Sequence, residues 1–191
     1  TKDYGLRIHP GEAKDQWSLS IYTNSDWAGD RENRRSVTGF VIFLSGVPIY
    51  WKSKLQKSVS LSSSEAEYYA LSEAAKEIKF VVQLLESVHV KVKFPIMVKV
   101  DNVGAIFMAE NNTATGRTRH IDARYHFVRE FVEDGYIKVI FVKTDENKSD
   151  MMTKNVSSQV YDKHVDEFIV SHSEMDSHIE TSREGVNSGN G

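Results

Sequence analysis

The segment that most constrains the fold is the run from Ser62 to about Val88, where Leu71, Ala74, Ile78, Val81 and Leu85 recur at helical spacing. A helix of that length with one apolar stripe has to lie on an apolar surface. Its start is marked by Ser62-Ser63-Ser64-Glu65, in which Ser62 and Glu65 have the spacing of a capping box. Extending the stripe back one turn from Leu71 lands on Glu67, which points a carboxylate toward the core side. Glu65, Glu73 and Glu77 fall off the stripe and read as solvated helix face. First-turn placement, favoured by the helix dipole, is the competing reading of Glu67.

The flanking sequence supplies the surface. Trp17–Asn24 alternates as a strand does, and Ser36–Leu44 and Val47–Lys52 are two β-rich runs separated by Ser45-Gly46, which together predict a meander. After the helix come a short apolar strand, Ile96–Asp101, and a helix through Val103–Ala109 that Asn102 can cap. The polar stretch Asn111–Arg119 leads into a helix from about Ile121 to Asp134-Gly135, followed by a strand, Tyr136–Val142. A helical segment begins at Asp150-Met151-Met152, and residues 159–170 can add another. This order predicts one α/β domain with a mixed sheet. Residues 1–15 are polar and aperiodic and are read as the N-terminal remnant of a longer chain that here starts on Thr1. Residues 16–156 form the expected domain, and 157–191 a C-terminal helix with a disordered tail.

Composition narrows the chemistry. There is no cysteine, so disulfides, thiolate metal sites and cysteine nucleophiles are excluded. Apolar runs are short and the start has no secretory pattern, so no membrane partner is expected. A net charge of -3 means that nucleic-acid binding would have to use local groups of Lys and Arg.

Four acid-bearing places stand out: Asp26 just past the first strand with Asn24 on the same side of the pleat, Glu67, Asp101 at a strand end, and Asp150 at a helix start. Each has a bland alternative, as a turn former, a first-turn acid or an N-cap. Together they suit hard cations. Carboxylates from several strand ends can hold two Mg²⁺ ions about 4 Å apart, an arrangement that hydrolyses phosphodiesters without a nucleophilic side chain.

At this point longer motifs enter: SDWAGD (25–30), RRSVTGFVIFL (34–44), IYWKSKLQKSVSLSSSEAEYYALSEAAKE (49–77), VDNVGAI (100–106), RTRHIDARYHFVRE (117–130) and SDMMTK (149–154). From about Ser20 to Asn155 the chain resembles the ribonuclease H domain of copia-type long-terminal-repeat retrotransposons. The resemblance implies a ribonuclease H-like fold, with a five-stranded mixed sheet flanked by helices. It implies two Mg²⁺ ions, with Mn²⁺ able to substitute, and cleavage of RNA in an RNA–DNA hybrid. The reverse transcriptase domain of the same polyprotein becomes the implied partner, and the cytoplasm or virus-like particles the implied setting, with the nucleus left open. The family's acids fall on Glu67, Asp101 and Asp150. The chain departs at the first position, where family members carry the metal-bridging aspartate and this sequence has Asn24. An amide can coordinate through oxygen but brings no charge. Asp26 is the candidate to compensate if the strand end shifts by two residues.

Lys52, Lys54 and Lys57, with Arg117 and Arg119, are the clearest basic groups for phosphate contact, and Asn102 and His120 join them as substrate-side candidates. Ordinary surface charge is the alternative. The loop Thr144–Ser149 has no histidine of the kind some ribonucleases H use in product release. Ser62–Ser64 read as capping residues rather than nucleophiles, and Trp27, Trp51, Tyr68 and Tyr69 as core aromatics rather than base-stacking ones. Rival functions are a catalytically silent module that binds nucleic acid or supports a reverse transcriptase, an integrase core, and a nucleotide-binding domain. An integrase core takes its glutamate last, whereas Glu67 comes second here. A nucleotide-binding domain would need a glycine-rich loop that this chain lacks.

Overall fold

The structure is a computed structural model that describes residues 4–6, 16–111, 119–165 and 168–171. In chain order the elements are β1 (Tyr4–Leu6), β2 (Trp17–Asp26), β3 (Val37–Leu44), β4 (Val47–Leu55), α1 (Ser63–Ser87), β5 (Val92–Val100), α2 (Val103–Glu110), α3 (Arg119–Glu133), β6 (Ile137–Phe141), α4 (Ser158–Val165) and β7 (Ile169–Ser171). Five strands form one sheet in the order β4-β3-β2-β5-β6. The first three are antiparallel neighbours, the expected meander, while β5 and β6 run parallel to β2. The sheet is therefore mixed, as the sequence predicts.

Boundaries moved where pairing between distant segments decides them. β2 continues two residues beyond Asn24 because Ser25 and Asp26 still face Thr38 and Val37 on β3. β4 runs on to Leu55, which faces Val37. β5 starts at Val92 rather than Ile96: Trp17 and Ser18 pair with Val92 and Lys93, and the register then shifts across Pro95, which has no N–H to offer a ladder. The segment at Asp150–Met152 is a single 3-10 turn rather than the start of a helix. The helix expected over 159–170 is shorter, and Ile169–Ser171 instead pairs antiparallel with Tyr4–Leu6. Backbone pairing needs no apolar pattern, and the polar sequence around Tyr4–Leu6 gave no sign of it.

The core lies between the sheet and α1, α2 and α3. Leu71, Ala74 and Ile78 of the α1 stripe are fully buried against Ile21, Phe40, Ile96 and Val98. A smaller cluster on the other face joins Tyr22, Val41 and Phe43 to Phe168, with the Phe43 and Phe168 rings 5.5 Å apart. The N-terminus of α1 is capped as expected. Ser62 Oγ accepts from the Glu65 N–H at 3.1 Å, and Glu65 reaches back to the N–H of Leu61 at 2.7 Å, one residue before the expected one. Among the described residues no helix is long and apolar enough to cross a membrane.

Candidate active site

The end of β2, the first turns of α1, the end of β5 and the turn at Asp150 meet at one edge of the sheet. Glu67, on the buried stripe, is only 5% exposed. Its Oε1 accepts the Ser25 N–H at 2.8 Å, while Oε2 is buried with no hydrogen-bond partner among the described residues. Burial and then the charges of Asp101 and Asp150 push its carboxyl up to about 9, against the opposing pull of the Ser25 N–H and Lys154. Asp150 is also pushed above the usual carboxylate range by burial, with Lys154 pulling the other way from 3.0 Å.

Asn24, 3% exposed, sits among these acids. Its Nδ2 donates to Asp150 Oδ1 and, at 3.2 Å, to Thr153 Oγ1, while its Oδ1 accepts from the Ser25 N–H at 2.7 Å. The orientation of the amide follows from its neighbours, because the carboxylate can only accept and the peptide N–H can only donate. Asp150 is delivered by a turn pinned to β2: Asn147 Nδ2 donates to the Thr23 carbonyl at 3.1 Å, and Asn147 Oδ1 accepts from the Ser149 hydroxyl at 2.7 Å. Gly39, opposite Asn24 on β3, leaves room for this turn, since a Cβ there would run into Thr153 and the backbone of Met152. Sequence reasoning missed Asn147, Thr153 and Lys154. It also missed Gln56, 1% exposed, whose amide donates to the Ala66 carbonyl at 3.0 Å and to Thr38 Oγ1 at 3.1 Å and so ties α1 to the sheet beside Glu67. Lys154, four residues after Asp150, had a readable helix-like spacing; the others carried no local signal.

Of the remaining candidates, Asp101 directly follows β5 and acts on both Glu67 and Asp150 through its charge. Asn102 caps α2 by accepting from the Ala105 N–H at 2.9 Å, and also accepts from the Ser64 hydroxyl at 3.0 Å. Asp26 shares the Asn24 side of β2, but its carboxylate fills the space a Cβ on Gly29 would need, and it is not among the charges acting on Glu67 or Asp150. Lys52 is held by Glu77 at 2.6 Å. Lys54 and Lys57 line a cleft of about 290 Å³ with Lys76 and Arg124. Arg117 lies outside the described residues; Arg119 and His120 open α3, and their side chains also lie outside. Tyr68 is buried and stacks on Tyr125 at 4.3 Å, in keeping with a core role, and Tyr69 is buried too, whereas Trp27 and Trp51 are about half exposed and do not belong to the core.

Carboxylate oxygens are the donor type a divalent cation takes, and one buried Glu67 oxygen lacks a partner among the described residues, while the Asn24 amide turns its nitrogen rather than its oxygen toward Asp150. The number falls short: among the described residues no three Asp, Glu or His side chains form a ready-made metal-holding group. The Asn24 amide stands beside Asp150 and adds no charge to these acids.

No protein-family model matches the chain. It is 44% identical over 138 residues to the retrovirus-related Pol polyprotein from transposon TNT 1-94 of Nicotiana tabacum, covering 72% of this chain and 10% of that protein. To the Pol polyprotein from transposon RE2 of Arabidopsis thaliana it is 35% identical over 157 residues, 82% of this chain and 11% of that one. The chain thus spans about a tenth of the length of these curated relatives. Among solved structures, LC11-RNase H1 isolated from compost superposes with a TM-score of 0.52 at 17% identity, over 78% of this chain and 98% of that one. The same protein in complex with an RNA/DNA hybrid gives 0.52 at 16% identity, over 71% and 94%. At such identities the likeness establishes the fold. The chain is a ribonuclease H-fold homologue of the Pol polyproteins of copia-type transposons.

Proposed function

We propose that this domain hydrolyses the RNA strand of RNA–DNA hybrids, using divalent cations held by Glu67, Asp101 and Asp150 with the Asn24 oxygen as a neutral ligand. The observation that carries the reading is the buried, unpartnered Oε2 of Glu67 facing the charges of two further carboxylates. A carboxylate in that position calls for a cation. When bound, Mg²⁺ or Mn²⁺ supplies the positive charge that favours an ionised water as nucleophile and offsets charge on the leaving 3′ oxygen. The chain's own groups do the positioning. The Ser25 N–H fixes Glu67, and Asn147 and Thr153 fix the turn that carries Asp150. Lys154 holds Asp150 from the solvent side and competes with a cation for its Oδ2. Exposed Lys54 and Lys57, with Arg117, Arg119 and His120, are assigned to the hybrid's phosphates, and Asn102 to the substrate side of α2. The hybrid-bound LC11-RNase H1 supports a hybrid as substrate class, and the Pol relatives support a reverse transcriptase in the same polyprotein as partner.

The Asn24 amide donated to Asp150 favours a second reading, a module that binds hybrids and cuts them slowly or not at all. Cleavage of a labelled hybrid in Mg²⁺ and in Mn²⁺, by the wild-type chain and by Asn24→Asp, separates the two. The hydrolase reading expects weak metal-dependent cleavage that rises about tenfold or more in Asn24→Asp, a barrier lowered by roughly 1.4 kcal/mol or more. Hybrid binding without metal-dependent cleavage in either protein would establish the binding module instead.

A further inference from the structure

An open cleft of about 370 Å³ lies behind the carboxylate cluster, on the sheet face that carries Tyr22 and α4. Its position follows from the pleat. Side chains two apart on a strand share a face, and the cleft is lined by Tyr22, two residues before Asn24, and by Lys99, two before Asp101. Lys148, two before Asp150 on the turn rather than on a strand, also lines it. β2 and the end of β5 thus each bring one residue toward the acid cluster and another to the cleft, about 6–7 Å apart along the strands.

The lining is cationic where the cluster is anionic. Lys99 Nζ donates to the Tyr22 hydroxyl at 2.7 Å and lies 4.3 Å from the centre of its ring. Lys148 Nζ stands 5.1 Å from the ring centres of both Tyr22 and Phe43. From α4 comes Lys163, whose ammonium donates to the Asp145 carbonyl at 2.9 Å and meets its carboxylate at 3.3 Å. Glu146 is the one acid in the lining. His164, 2% exposed, completes the wall. Its Nε2 lies 3.2 Å from the Asp145 carbonyl, which can only accept, so Nε2 donates there. The other ring nitrogen, Nδ1, is buried and has no hydrogen-bond partner among the described residues.

Three ammonium groups match a ligand with several anionic oxygens. With its second ionisation near pH 6, a phosphate monoester is largely a dianion at neutral pH, whereas a phosphodiester carries a single charge. We propose that the cleft is a subsite for a phosphate monoester or free inorganic phosphate. The proposal rests on the hydrolase reading for its natural ligand. In that reaction the water oxygen bonds to phosphorus, the bond to the 3′ oxygen breaks, the 3′ oxygen takes a proton, and the phosphate stays on the 5′ end of the next fragment. That new terminus forms at the cluster, one short step along the strands from the cleft.

The full 191-residue chain in EDTA, titrated calorimetrically with inorganic phosphate, tests it. Phosphate is expected to bind, and Lys99→Gln and the more exposed Lys163→Gln are each expected to weaken it by about fivefold or more. A second arm uses an oligoribonucleotide with a 5′-phosphate and its 5′-hydroxyl twin. Tighter binding of the phosphorylated strand, lost in Lys99→Gln, identifies the product end as the source, and equal binding identifies free phosphate. No phosphate binding at about 10 mM, or binding that neither lysine variant moves while circular dichroism stays native, overturns the proposal. The assay contains no metal and no cleavage step. A chain that binds phosphate here yet never cuts hybrids would keep the cleft and lose the hydrolase.

Discussion

The Asn24 amide donates to the buried Asp150 carboxylate, and this sets what a substitution at Asn24 should do. Asn24→Asp removes an amide donor from a buried carboxylate and puts a second negative charge in its place. In EDTA the variant is expected to lose roughly 2–4 kcal/mol of stability. Mg²⁺ should restore more of the variant's Tm than it adds to the wild type's, because the completed cluster binds the cation more tightly. Equal Mg²⁺ shifts in thermal unfolding of the two proteins would contradict the placement of Asn24 at the metal position. Glu67 gives a pH signature of its own. Its carboxyl titrates near 4.5 when unfolded and is pushed up to about 9 in the fold, so between those values the folded chain holds a proton that the unfolded chain has released. Stability of the metal-free protein therefore falls as pH rises through that window, with the whole cost present above pH 9. Glu67→Gln removes the titrating group. In urea unfolding with EDTA it should match the wild type near pH 4 and exceed it by roughly 2–4 kcal/mol near pH 9. A variant with the same pH slope as the wild type would rule this out.

The site also depends on how α1, β3 and the Asp150 turn are seated. Gly39 on β3 gives the turn its clearance, so Gly39→Ala should cost roughly 1–3 kcal/mol and lift Asp150 away from Asn24. The first effect is read by denaturant unfolding and the second by loss of the Asn24 side-chain amide's protection from hydrogen exchange; a neutral outcome in both would show that the turn packs elsewhere. These elements were unequally legible in the sequence. The helical period is local, so the α1 stripe, its cap at Ser62 and the inward carboxylate of Glu67 could all be read from one stretch of chain. The four-residue earlier start of β5 depends on partners 75 residues away and the extension of β2 to Asp26 on partners 11 and 13 residues away, and neither had a local mark. Gln56 had no mark in the sequence and is buried, because its partners on β3 and α1 come together only in the fold. The same distance effect hid the pairing of β1 with β7. At the candidate site the acids were legible as strand-end and stripe residues, whereas the contact of the Asn24 amide with Asp150 and the closeness of the Asp26 carboxylate to Gly29 depend on the folded chain.

At the scale of the whole molecule, a chain with net charge -3 and an acidic cluster at one sheet edge can hold a polyanion only through local groups of opposite sign. The Lys52, Lys54 and Lys57 group lies on β4 and the loop after it, but its members are not equivalent. The Lys52 ammonium is committed to Glu77 at 2.6 Å, and that pair raises its affinity for the proton. Lys54 and Lys57 are exposed on the same cleft. A cation that stays paired releases few counterions when nucleic acid binds, whereas a cation that turns to a phosphate contributes about 0.9 to the slope of log affinity against log salt. Hybrid binding measured in EDTA over a salt series should therefore weaken in Lys54→Ala and in Lys57→Ala, with the slope falling by about one in each. Lys52→Ala should leave the slope nearly unchanged and affect affinity only through the freed Glu77. If Lys52→Ala flattens the salt dependence as much as the other two, the Glu77 pair opens on binding and all three lysines belong to the hybrid's track across α1. If none of the three changes the slope, the track lies on the α3 side instead.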